Sequence, residues 1–241
     1  MIALLFALIS GGAPDATHTA VVQVQPICSG VVVAPRVVLT AGHCAHVASS
    51  VAVAGRTVLI AEKHLYPDYT GATSDELAGL DLAALVLSED TGVAPLPYAR
   101  TPPALGPATA IGFGSGQREA ADVTMQSPCE RLVGFGDAVH FAEDGDSGGA
   151  LVAGGELVGI LSFRTLSMPP DWAVRTDPYA RWIDAVVAGA PDDACTQTCP
   201  PAASDCFRAP AEDAGCSCSV ASHGTGGALA VMLLLMLARR R

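Results

Sequence analysis

Basic residues are scarce in this chain, aromatic residues make up only 5% of it, and no apolar run is long enough to span a bilayer. Thirteen Lys and Arg face 24 Asp and Glu, a formal net charge of −11. That balance argues against nucleic acid as a partner, because neutralising phosphates needs clustered cations. The one basic run is Arg239-Arg240-Arg241, at the extreme C-terminus. Paired Cys-x-x-Cys clusters at zinc-finger spacing are missing. His18, His46, His64, His140 and His223 form no metal-ligand spacing either, so no metal or other cofactor is expected. The 8 cysteines therefore read as residues of an oxidising compartment. There are no internal repeats.

Half of the residues are apolar and 15% are charged, enough for a sizeable core and too apolar for wholesale disorder. From Val21 to Phe163 short apolar runs alternate with Gly, Pro, Asp and Ser: Gly30–Ala34, Val37–Leu39, Thr57–Ile60 and Leu82–Leu87. Such Val-rich runs bounded by turn residues predict an all-β barrel or sandwich. Ala150–Ala153 and Glu156–Leu161 flank Gly154-Gly155, a hairpin signal. One helix is expected late in the chain, with Asp177 as N-cap, Pro178 in its first turn and Gly189 then Pro191 ending it. Tyr179, Trp182, Ile183, Val186 and Val187 recur at helical spacing and give it one apolar face. A domain end near Ala188 follows. Residues 189–215 then read as a Cys- and Pro-rich linker, and 216–241 as a tail with a short hydrophobic segment.

Two segments carry chemistry. Thr40-Ala41-Gly42-His43-Cys44 sets a histidine just past a strand end, and Asp144-Gly145-Asp146-Ser147-Gly148-Gly149 holds a serine among glycines. A serine hydroxyl is a weak nucleophile until an imidazole within hydrogen-bond reach takes its proton, and the imidazole needs a group to orient it. Glycines beside the serine let backbone N–H groups approach a developing oxyanion.

These two segments, with Asp81-Leu82-Ala83-Ala84-Leu85 between them, resemble the three signature segments of the trypsin/chymotrypsin serine proteases, in that family's order. The resemblance runs from about Ile9 to Ala188. It implies two Greek-key β-barrels with a C-terminal α-helix, and a serine endopeptidase acting on peptide or protein substrates. His43 would be the general base and acid, Asp81 its orienting carboxylate and Ser147 the nucleophile, with the Gly145 and Ser147 N–H groups as oxyanion hole. Cys28 and Cys44 have the spacing of the family's histidine-loop disulfide, a loop closure contributing roughly 3 kcal/mol. Ser162-Phe163-Arg164 falls on the strand that pairs with bound peptide, where Ser162 would support Asp81. In the specificity pocket, Phe141 stands where trypsins keep an aspartate, Arg164 replaces a wall glycine, and Asp171 falls at another wall position. That combination implies a shallow pocket for small or acidic side chains, with Arg164 either pairing with Asp171 or meeting an acidic substrate.

Both ends leave alternatives. Ile9-Ser10-Gly11-Gly12 resembles the family's activated N-terminus, whose freed α-amino group pairs with the residue matching Asp146; the rival is a signal or pro segment over 1–12. The C-terminal tail resembles the sorting tails of myxobacteria, with Cys216 and Cys218 before an apolar stretch and the arginines. That stretch, 228–238, makes about 16 Å of helix against a hydrocarbon core of about 30 Å. Removal by a sorting protease, with lipid attachment at a cysteine, fits it better than a permanent anchor. A secreted, cell-surface or outer-membrane location is thereby expected. Cys129, Cys195, Cys199 and Cys206 are left for two further disulfides of open connectivity. The competing function is a catalytically silent relative serving as a binding or adhesion module. A lipase-type nucleophile elbow is not supported, because the serine lies in Gly-Asp-Ser-Gly-Gly.

Overall fold

The computed structural model describes residues 9–165 and 170–190, together with Phe207 and the backbone of 196–197 and 218–219. The fold is built on two closed antiparallel β-barrels of six strands each. The first is built from β2 (Val21–Gln25), β3 (Cys28–Ala34), β4 (Val37–Thr40), β5 (Ser50–Val53), β6 (Arg56–Leu65) and β7 (Ala83–Leu87), in the order β2-β3-β4-β7-β6-β5. The second holds β8 (Gly106–Gly112), β9 (Glu119–Pro128), β10 (Leu132–Phe135), β11 (Ala150–Ala153), β12 (Glu156–Arg164) and β13 (Asp171–Arg175). Its order is β8-β9-β10-β13-β12-β11, and the β11–β8 ladder closes it; β1 (Ala13–Pro14) pairs with the start of β9, at Glu119 and Ala120.

Closure follows from the apolar pattern. Val22, Val24, Val32, Val38, Val51, Val58 and Leu85 point into the first barrel and are at most 2% exposed. Phe135, Leu151, Leu161 and Met125 fill the second. A third cluster, including Leu39, Leu82, Ile160 and Trp182, fills the space between barrels and helix. Closing both sheets removes the free edges that would otherwise invite pairing with other chains.

The expected Gly154-Gly155 hairpin forms between β11 and β12. The expected strand over 57–60 is only the start of β6, which continues through Glu62, Lys63 and His64. Charged residues occur there because this stretch of β6 is largely exposed, so its apolar period is broken. The late helix also differs from expectation. Asp177–Tyr179 is a 3-10 turn and the α-helix, α3, spans Ala180–Val187. Asp177 does not cap it: both carboxylate oxygens are held by Arg175, at 3.0 and 2.6 Å. Tyr179, Trp182, Ile183 and Val186 are buried as the period requires, but Val187 lies in the last turn and is 42% exposed. Gly189 ends the helix as expected, with a left-handed φ of 73° and its N–H on the Val186 carbonyl.

Cys28, at the start of β3, and Cys44, in the helical turn after β4, form a disulfide, and Cys129 is disulfide-bonded as well. The readings of 1–8 and of most of 191–241, including Cys195, Cys199, Cys206 and Cys216, lie outside the described residues. For the tail, a two-residue ladder between Thr196–Gln197 and Cys218–Ser219 is described. Among the described residues, no helix is long and apolar enough to cross a membrane.

Leu85 is fully buried and Leu59 is 65% exposed. Leu85→Ala is expected to cost about 2–5 kcal/mol in urea unfolding, and Leu59→Ala less than about 0.5 kcal/mol.

Candidate active site

His43 sits in α1 (Gly42–Val47), the single helical turn that follows β4, and Asp81 lies just before β7. Since β4 and β7 are adjacent in register, from Val37 opposite Val86 to Thr40 opposite Ala83, their ends bring the two residues together. The Asp81 carboxylate is fully buried. Its Oδ1 accepts the His43 backbone N–H at 2.8 Å, and its Oδ2 lies 2.8 Å from His43 Nδ1 and 2.5 Å from the Ser162 hydroxyl. With Asp81 ionised, the imidazole proton sits on Nδ1 and Nε2 is left as the basic nitrogen.

Burial opposes ionisation of Asp81, but the His43 hydrogen bond and charge and the Ser162 hydroxyl outweigh it and hold its pKa below the ordinary value. Burial likewise opposes protonation of His43, yet Asp81, with Glu76 behind it, raises the imidazole above its usual 6.5. Glu76, in α2 (Thr73–Leu77), offers a carboxylate oxygen within 4.8 Å of ligand atoms of both His43 and Asp81. Burial and the Asp81 charge push its own pKa up. The sequence reading missed it, because nothing in Ser74-Asp75-Glu76 marks a helical turn folding back over the histidine. Among the described residues, the other group with metal-binding donors is Cys28, His43 and Cys44, whose two sulfurs are joined to each other.

Ser147 comes from the second barrel, in the loop before β11. Its carbonyl accepts the Ser29 N–H at 2.8 Å and lies 3.5 Å from Cys44 Sγ, so the serine loop is fastened to the strand and disulfide that carry His43. Ser29 is a hub that the sequence did not reveal. Its hydroxyl donates to the Gly145 carbonyl at 2.8 Å and accepts the Phe113 N–H at 2.9 Å, and its own carbonyl accepts from Thr40. Gly148 must be glycine: at φ 84°, a Cβ would lie 2.2 Å from both the Ser29 carbonyl oxygen and Thr40 Oγ1. Among the described residues, the Gly145 and Ser147 N–H groups donate to no other group. They are free to meet an oxyanion. No hydrogen bond joins the Ser147 hydroxyl to the His43 ring among the described residues. Such bonds are often long in a free enzyme and tighten with substrate bound.

Asp146 is completely buried, its carboxylate accepting the N–H groups of Gly114 at 2.7 Å and Glu143 at 2.8 Å. Gly112 gives it room, since a Cβ there would fall 2.3 Å from Asp146 Oδ1. Burial raises its pKa to about 6, with the charges of Glu119 and Glu143 adding to the effect. Ile9 is 1% exposed among the second-barrel core residues, and the Ser10 N–H bonds the Phe141 carbonyl at 2.9 Å. No hydrogen bond or ion pair joins Ile9 to Asp146 among the described residues.

Beside Ser147 opens a cavity of about 210 Å³, lined by Ser162, Phe163, Arg164, Asp171 and Trp172 among others. Arg164 Nε bonds Asp171 Oδ1 at 3.0 Å, the guanidinium lies 4.2 Å from the Phe141 ring centroid, and Asp171 Oδ2 accepts the Ala142 N–H at 2.6 Å. Of the two roles expected for Arg164, the pairing with Asp171 is the one formed. Phe163 stacks on Trp172 at 6.4 Å, and Phe207, read from sequence as part of an extended linker, packs edge-on to Trp172 at 4.9 Å.

The chain belongs to the trypsin family, which it matches over residues 9–183. Among solved structures it is similar to mouse neuropsin, a serine protease expressed in the limbic system of the brain. The TM-score is 0.65 at 22% identity, over 73% of this chain and 98% of that one. That likeness concerns the fold. No curated protein matches the chain.

Two titrations follow from this geometry. The His43 imidazole should titrate above pH 6.5 by NMR, and Asp81→Asn should lower its midpoint. The folded pKa of Asp146 is above the ordinary 3.8, so its contribution to stability is greatest below that pH and is lost as pH rises through about 6. Asp146→Asn in the full chain should remove roughly 2–3 kcal/mol of that pH dependence, read from urea midpoints on either side of the window.

Proposed function

We propose that the chain is a serine endopeptidase in which His43, Asp81 and Ser147 act as one proton-relay group. The observation that carries this is the buried Asp81 carboxylate, bonded to both the ring and the backbone of His43. In the reaction, Ser147 Oγ attacks the scissile carbonyl while His43 Nε2 takes the hydroxyl proton. Charge collecting on the carbonyl oxygen is met by the Gly145 and Ser147 N–H groups. The C–N bond then breaks, and the departing amine takes the proton from His43. Water, activated by the same nitrogen, releases the acid from Ser147.

Arg164, backed by the Phe141 ring, narrows the pocket, which favours small side chains before the cleaved bond. The acidic option loses its motive, because Asp171 already neutralises Arg164. Ile9 is the proposed mature first residue. Its burial supports this, and a freed α-amino group would supply the cation that Asp146 lacks. Export, and processing of the tail at Cys216 or Cys218 by a sorting protease, rest on the sequence pattern alone. A catalytically silent relative is the second reading, favoured by the missing Ser147–His43 hydrogen bond.

Labelling with a serine-directed phosphonate separates the two. Protein trimmed to Ile9 should label, and Ser147→Ala should not; an unlabelled trimmed protein would establish the silent relative. Asp81→Asn should lower kcat on the order of 10⁴-fold, as the same change does in other triad enzymes.

A further inference from the structure

Glu119, the first residue of β9, is a buried acid that the proposed reaction does not use. It is 1% exposed, its Oε1 accepts from Gln117 Nε2 at 3.2 Å, and its Oε2 has no hydrogen-bond partner among the described residues. Burial alternates along β9, so Glu119 shares its inward face with Ala121, Val123 and Met125, the cluster in which Ile9 is buried. On one side β1, which follows Ile9 closely, pairs Pro14 with Glu119 and Ala13 with Ala120. On the other side Glu119 is the register partner of Gly112 in β8, the glycine against which the Asp146 carboxylate rests. Ile9, Glu119 and Asp146 therefore converge.

Two neighbouring buried carboxylates resist ionising together unless a cation joins them, because each charge raises the cost of the other. The basic groups nearby are engaged elsewhere. Arg118 holds Asp15 and the Val21 carbonyl, and His140, beside Gly11, holds Asp137. Of the other acids, Glu143 adds to the negative charge felt by Asp146, while Asp122 lies on the outer face of β9 and bonds Thr109.

We infer that this site receives its cation on two carboxylates, Glu119 and Asp146, and that Glu119 is a positioning residue for the α-amino group freed at Ile9. While no cation is present the pair keeps one proton, and arrival of the ammonium releases that proton to solvent. The inference rests on Ile9 as the mature first residue and deepens that reading by adding a second acceptor. If Glu119 merely filled the barrel, Gln would serve as well.

The test is urea unfolding of the full chain carrying a removable leader before Ile9, uncut and cut, from about pH 7 to about pH 10.5. Cutting should raise the urea midpoint. An amine whose folded pKa exceeds its unfolded value of about 8 gives stability that is complete below that pH and is lost as pH rises through the folded value. Glu119→Gln should move that alkaline loss down by roughly one pH unit, a tenfold weaker hold on the proton. The same change should stabilise the uncut chain, which no longer buries an unpaired acid. Asp146→Asn should keep part of the gain on cutting, and the double variant should have none. The inference is overturned by an unmoved alkaline midpoint in Glu119→Gln, or by an uncut Glu119→Gln that is less stable or does not fold. A gain wholly lost in Asp146→Asn, or no gain on cutting the unaltered protein, would overturn it equally. Unfolding needs neither Ser147 nor His43, so a silent relative would leave this result standing. Conversely, phosphonate labelling of the cut protein would keep the peptidase reading if Glu119 proves inert.

Discussion

A carboxylate with no access to water sits where the two barrels meet. Burying the Asp81 charge would cost several kcal/mol if it were unpaired. It is tolerated because donors converge from both sides: the ring and backbone of His43 in the first barrel, and Ser162 on β12 in the second. Displacing one barrel relative to the other would strand that charge. The site and the barrel interface are therefore held by the same bonds, and Ser29 extends the principle by tying β3 to the Gly145–Ser147 loop.

Three buried carboxylates line this region, and their environments drive them apart. Asp81 is pulled below its ordinary pKa by an imidazole and a hydroxyl. Asp171 is raised by burial even though Ala142 and Arg164 oppose the rise. Among the described residues Asp146 has two backbone N–H donors and no cation, with acidic neighbours, and burial raises it to about 6. The same chemical group is thus an anion that orients a base, a neutralised wall of a pocket, and a site poised for a positive charge. Its neighbours alone decide which.

Much of the fold was legible because strand period, turn residues and the Gly154-Gly155 hairpin are local signals. His43, Asp81 and Ser147 were legible because each lies in a distinctive segment, and the structure places the first two in contact. What stayed hidden acts through space. Glu76 faces His43 only because α2 folds back over it, and Ser29 becomes a hub only when the barrels dock; Asp177, by contrast, is drawn from its expected capping role by a near neighbour, Arg175 at the end of β13. The pocket was half legible: Arg164 and Asp171 line the cavity, Phe141 meets it only through the Arg164 guanidinium, and whether Arg164 would face Asp171 or a substrate depended on a side-chain direction that no linear pattern encodes.

By itself, then, the order of residues determined which segments become strands and where the chain must turn through glycine, consequences of backbone sterics and apolar period, which act over a few residues. His43, Asp81 and Ser147 were singled out by their resemblance to the signature segments of the trypsin family. Tertiary structure alone decided the partners of the buried charges. A charge chooses its partner by distance in three dimensions, and Asp81 with Ser162, or Asp171 with Ala142, become neighbours only once both barrels have closed and packed.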